Sequence, residues 1–165
     1  MSQHQSYIFD TSALVDLEFW FRKSFAQPLW DKLEEVAKSG IFHCPREVQR
    51  ELTKSIDLQK WVKTNHIVIL DSVNANIIPI ALDIDKKYPK LKIGGRRKRA
   101  KKDSADTWVV ALAIYLNGKV VCSESPDPKA RIIYKIPDAC QNEGIQSISL
   151  PDLLDELNIR IITVR

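Results

Sequence analysis

Apolar residues fall in short runs and in helix-spaced stripes that alternate along the chain. Gln5-Ser6-Tyr7-Ile8-Phe9-Asp10 reads as a strand ending in an acid, after which Thr11 or Ser12 caps a helix through Ala13, Leu14 and Leu17. Leu29, Trp30, Leu33 and Val36 recur at helical spacing between Pro28 and Lys38, and Gly40 supplies the stop. Ile41-Phe42-His43-Cys44 reads as a buried strand. Pro45 then starts a helix whose inward face carries Val48 and Leu52. A helix around Leu58–Val62 precedes a strand at Ile67–Leu70, and Val73 to Tyr88 reads as helical with a kink or break at Pro79.

Asp103–Leu116 predicts a helix of another kind. Trp108-Val109-Val110-Ala111-Leu112-Ala113-Ile114 is apolar nearly all round, so this helix is buried on most sides, and Gly118 ends it. Lys119-Val120-Val121-Cys122 reads as the next strand. Short elements follow at Arg131–Lys135, Pro137–Glu143, Ile145–Ile148, Leu150–Leu157 and Ile159–Val164. Helices and strands that alternate throughout predict an α/β fold, with a parallel sheet covered on both faces. No internal repeat interrupts the pattern, so residues 1–165 read as one domain.

Composition narrows the class. The chain is 44% hydrophobic and 28% charged, enough apolar surface to offset the entropy of ordering. No run approaches the ~18 apolar residues a membrane helix needs. The opening MSQHQSYIFD lacks the basic flank and apolar stretch of a secretory signal, and Cys44, Cys122 and Cys140 form no CxxC pair. A cytoplasmic protein with no membrane association is the expectation.

Charge changes the picture more. Residues 86–102, KKYPKLKIGGRRKRAKK, hold ten of the 25 Lys and Arg and no acid, leaving 15 basic groups against 21 acidic ones elsewhere, a net of −6. Such a basic insertion is either a solvated loop or a contact for a phosphate backbone, in which Arg96, Arg97, Lys98, Arg99, Lys101 and Lys102 would touch the phosphates.

Acids decide between the two. In an open α/β sheet, functional groups gather beyond the carboxyl ends of the strands. Asp10 and the Ser123-Glu124 pair stand there. Asp103 and Asp106 stand at the amino end of the buried helix, and Glu51 lies roughly 60° from Val48 on the helix wheel, at the border of the apolar stripe. Taken singly, Asp103 and Asp106 have the spacing of a capping pair and Glu51 could pair with Lys54 or Arg50. Glu47 and Glu51 are like charges one turn apart, which a helix gains nothing from without a cation near them. Clustered carboxylates persist only with a cation or with shifted pKa values. Oxygen ligands without His or Cys spacing point to Mg²⁺ or Mn²⁺, with Asp10, Glu51, Asp106 and Glu124, and Asp103 as a further candidate, as the ligands. His4, His43 and His66 are scattered and form no zinc motif.

These residues carry a family resemblance. Ile8-Phe9-Asp10-Thr11-Ser12 resembles the opening strand motif of PIN-domain nucleases, and Pro45-Arg46-Glu47-Val48-Gln49-Arg50-Glu51-Leu52 resembles their second acidic motif. Ala105-Asp106-Thr107-Trp108-Val109-Val110-Ala111-Leu112-Ala113 is similar to the third, and Val120-Val121-Cys122-Ser123-Glu124 falls where the fourth stands. The resemblance covers residues 6–150, with the VapC-like toxins as the nearest subgroup. It implies a three-layer α/β/α sandwich with a mostly parallel sheet, Mg²⁺ or Mn²⁺ as cofactor, RNA cleavage, a small antitoxin as partner, and a homodimer. Cys122 and Glu124 depart from the family's commonest Thr and Asp, and the basic insertion is longer than in minimal members.

Other magnesium-using α/β classes fit less well. A dehalogenase-type phosphatase needs a second Asp two residues after the first, and position 12 is Ser. A receiver domain needs adjacent acids after its first strand. No GxxxxGK[ST] loop occurs. The alternative from a different class is a PIN-like module that binds RNA or a protein without cutting.

Overall fold

The computed structural model describes residues 5–69, 75–91, 104–133 and 135–160. Strand β1 (Tyr7–Phe9) leads into helix α1 (Thr11–Trp20) and helix α2 (Lys23–Ala37). Strand β2 (Phe42–Pro45) is followed by α3 (Arg46–Glu51), α4 (Ile56–Thr64), strand β3 (Val68–Ile69) and α5 (Ile77–Lys87). The buried helix α6 (Ala105–Leu116) precedes strand β4 (Lys119–Val121), α7 (Ile136–Asn142), strand β5 (Ser147–Ile148) and α8 (Leu150–Glu156).

The five strands form one sheet in the order β3-β2-β1-β4-β5, and every pairing is parallel. The chain therefore builds outward from β1 in one direction and then crosses back to continue from its other side. Right-handed crossovers put the helices between β1 and β3 on one face and those between β3 and β5 on the other, giving the three-layer α/β/α sandwich. The direction of winding reverses between β1 and β4, so the carboxyl ends of those two strands flank a crevice.

Helix α6 is the pillar of its layer. It lies along β1, β2 and β4 and packs against α5 and α7. Val109, Val110, Ala111, Leu112 and Ala113 are buried, which is why its sequence shows no polar face. Between β1 and β2, Phe42 meets Phe9 edge to face at 5.1 Å.

Several boundaries differ from those expected. Asp10, not Thr11 or Ser12, caps α1 with its carboxylate. Ala26 leaves the helical region (φ −120°, ψ 29°), so Pro28 falls in the first turn of a resumed helix, where its missing N–H costs nothing. Pro79 likewise lies in the first turn of α5 and neither kinks nor breaks it. Ser104, not Asp103, caps α6, its Oγ accepting from the Asp106 N–H at 3.4 Å. No strand forms among the described residues of Arg131–Lys135, and most of the stretch expected at Ile159–Val164 lies outside the described residues.

Gly118 plays a different part from the one expected. Asn117 takes the left-handed position that ends α6 (φ 49°). A Cβ on Gly118 would lie 2.4 Å from Ile8 Cδ1 and 2.8 Å from the Ser6 carbonyl oxygen. Backbone cannot yield as a side chain can. Gly118→Ala should therefore cost about 1–3 kcal/mol by overpacking at the β1–β4 seam, read as a lower midpoint in urea with an unchanged slope.

Candidate functional site

The crevice between β1 and β4 is where the acids meet. The Asp10 N–H donates to the Val121 carbonyl at 2.9 Å, carrying the sheet one residue past β1. Its side chain is buried, and Oδ2 accepts from Ser12 N at 3.1 Å and Ser12 Oγ at 2.6 Å. Ser12 Oγ in turn accepts from Ser123 N at 3.0 Å, tying the exit of β4 to the start of α1. Burial raises the Asp10 pKa against the pull of the two Ser12 donors, and repulsion from Glu51 raises it further.

Glu51 closes α3, and its two oxygens hold two other elements. Oε2 accepts from Thr11 Oγ1 at 2.7 Å and Oε1 from Ala105 N at 3.2 Å, so one carboxylate joins the first residues of α1 and α6. Asp106 is the second residue of α6, where a helix end favours an acid. Its pKa is nevertheless raised to about 7, first by burial and then by Asp10, Glu124 and Glu51 in turn. Glu124 is exposed as a residue, yet desolvation of its carboxyl is the main cause of a raised pKa. Ile136 N, donating to Oε2 at 3.1 Å, opposes that rise, and Asp10 adds to it.

The structure thus brings together Asp10, Glu51, Asp106 and Glu124, from four separate segments, close enough to perturb one another. Asp103, Arg96, Arg97, Lys98, Arg99, Lys101 and Lys102 lie outside the described residues. Among the described residues, no three His, Cys, Asp or Glu side chains are gathered tightly enough to hold an ion as they stand. Oxygens of Asp10, Glu51 and Glu124 each take hydrogen bonds from neighbouring N–H or O–H groups, which hold the carboxylates in place. As a donor set, four carboxylates in mutual repulsion fit a hard divalent cation and no softer metal.

Two acids at the site were not foreseen as such. Asp138, in the first turn of α7, is 6% exposed; Oδ1 accepts from Asp127 N at 2.8 Å while the buried Oδ2 has no partner among the described residues. It adds to the charge that raises Glu124. Glu47 is 8% exposed, its Oε2 buried and without a partner among the described residues; burial pushes up the neighbouring Cys44 thiol and Glu47 adds to that rise. The Glu47–Glu51 repeat signalled the second of these. Nothing in the local pattern signalled Asp138, which sits in a stretch readable as either turn or helix.

Val15, Phe19, Trp20, Phe25 and Ile56 stand exposed on α1, α2 and the start of α4. No helix among the described residues is long and apolar enough to cross a membrane.

Residues 7–161 match the family described as a domain of unknown function, DUF4411. The chain belongs to this family. The DUF4411 match runs from β1 past α8 and takes in all four converging carboxylates as well as Glu47 and Asp138. No curated protein matches the chain.

Proposed function

We propose that this chain is an endoribonuclease of the PIN type, hydrolysing RNA phosphodiester bonds with carboxylate-held Mg²⁺ or Mn²⁺. The observation that carries the reading is the meeting of Asp10, Glu51, Asp106 and Glu124 at the switch point of a parallel sheet, with Asp106 raised to about 7 by burial and then by its acidic neighbours. A buried acid cluster of this kind opposes folding unless protons or a bound cation offset its charge. When bound, the cation would polarise the phosphate and lower the pKa of an attacking water.

The chain's own residues supply the frame. Ser12 fixes Asp10 through two donors to one oxygen, and Thr11 and the Ala105 amide fix Glu51 through one donor to each oxygen. Asp106 would give up its proton as the cation is taken in. The basic run Arg96–Lys102 lies just before Asp106 in sequence and supports a polyanionic substrate. Val15, Phe19 and Phe25, exposed on α1 and α2, support a protein partner, either a small antitoxin or a second copy, and with it the role of toxin in a toxin–antitoxin pair acting in the cytoplasm.

A second reading has its own observation. Because Asp10, Glu51 and Glu124 already have hydrogen-bonding neighbours, a module that binds RNA or protein without cutting also accords with the site. Incubating the purified chain with single-stranded RNA separates the two. The nuclease reading expects cleavage in Mn²⁺ and none in excess EDTA. Binding without cleavage in either condition favours the alternative.

A further inference from the structure

One cavity borders the acids without belonging to them. It measures about 460 Å³, within the ~300–1,000 Å³ range of small-ligand sites, and is lined by Asp16, Trp20, Phe21, Ser123, Ser149, Leu150 and Pro151. Ser123 is the link. Its N–H donates to Ser12 Oγ at 3.0 Å, and that hydroxyl donates to Asp10 Oδ2 at 2.6 Å, so the cavity edge stands two hydrogen bonds from the acid cluster. A second hollow of about 490 Å³, lined in part by Phe19, Arg22 and Trp30, contains none of the converging acids or Ser123 in its wall.

The lining of the first cavity is unusual for a surface. Trp20 is 62% exposed, its ring held edge to face by Phe19 at 5.3 Å, and Leu150 and Pro151 offer it an apolar surround. Asp16, one turn earlier on α1, makes no hydrogen bond or ion pair with the described residues, although it is partly buried in the cavity wall. A carboxylate only accepts, and so repels a phosphate but welcomes N–H donors.

We propose that this cavity is a nucleobase subsite, seating one base of the RNA beside the scissile phosphate, with Trp20 as stacking platform and Asp16 as reader of its edge. The assignment rests on the nuclease reading above. Unpaired bases are recognised by stacking on aromatic side chains and by hydrogen bonds to their Watson–Crick edge. Guanine fits best, because its adjacent N1–H and N2–H donors can meet both oxygens of one carboxylate.

The test is a binding titration of labelled single-stranded RNA octamers in EDTA, with one guanine at a fixed position, compared with octamers carrying a single abasic site at each position in turn. Trp20→Ala should weaken binding about 5- to 150-fold, the range for one stacked base. One abasic position should reproduce that loss, and combining it with Trp20→Ala should add nothing more. Asp16→Asn should reduce a guanine-over-adenine preference at that position by roughly tenfold. Phe25→Ala, an equally exposed aromatic outside the cavity, should change neither. The subsite is overturned if Trp20→Ala binds like wild type, or if its loss adds to that of every abasic position. If wild type cleaves RNA in Mn²⁺ and Trp20→Ala leaves KM unchanged, the subsite alone falls. If wild type neither binds nor cleaves RNA, the nuclease reading falls and takes the subsite with it.

Discussion

Asp10→Asn should reduce Mn²⁺-dependent RNA cleavage by roughly 10³-fold or more, the scale of several kcal/mol of lost charge stabilisation. The expectation follows from where the residue sits. Asp10 is the buried acid at the end of β1, and it raises Asp106 directly. Asn keeps a capping oxygen for Ser12 and is as good an N-cap as Asp, so α1 should stay intact and the far-UV circular dichroism unchanged. A cleavage assay on the two purified proteins, with equal spectra, checks it. Wild-type cleavage by the variant would show that the acids meet for some other reason.

The second large effect is on stability, and its sign is opposite to that of an ordinary active-site substitution. Folding raises the Asp106 carboxyl from its usual 3.8 to about 7. A group raised on folding favours the native state while protonated. That stabilisation is complete below pH 3.8 and is lost as pH rises to about 7, so the metal-free protein should weaken across this window. Asp10 and Glu124 are raised in the same direction and add to the trend. Asp106→Asn carries no charge to repel. At pH 8 without metal it should be more stable than wild type by on the order of 2 kcal/mol, or roughly 4–8 °C in Tm. Melting curves at pH 4 and pH 8 check this, and the gain should shrink at the lower pH. A less stable variant at pH 8 would mean that Asp106 is anchored by contacts and not strained by charge.

How much of this was legible in the sequence depended on which side of each residue was in question. The apolar girth of α6 predicts its burial because a helix with no polar face has no other place. The alternation of elements predicts the parallel sheet, and the acids at element ends predict a shared edge. Asp103 and Ser104 are both capping residues standing one position apart, and local pattern alone does not choose between them; the structure assigns the cap to Ser104. Pro79 breaks a helix only in its interior, so its meaning waited on the start of α5 at Ile77. Asp138 was hidden for a tertiary reason. It is buried because the loop after β4 folds back and offers it the Asp127 N–H, a contact made across the loop and not along the helix. The cavity beside Trp20 was hidden in the same way, since α1, the end of β4 and the start of α8 meet there from distant parts of the chain.

The central claim is that the four carboxylates together hold one kind of ligand, a divalent cation. Melting temperature against Mn²⁺ concentration at pH 8 tests it without any substrate. An ion bound only by the native state adds RT ln(1 + [Mn²⁺]/Kd) to stability, so Tm should climb steadily once Mn²⁺ exceeds Kd. Wild type should show that climb, while Asp10→Asn and Glu51→Gln should stay nearly flat. A wild-type Tm unmoved by millimolar Mn²⁺, or a climb of equal size in all three proteins, would contradict the account.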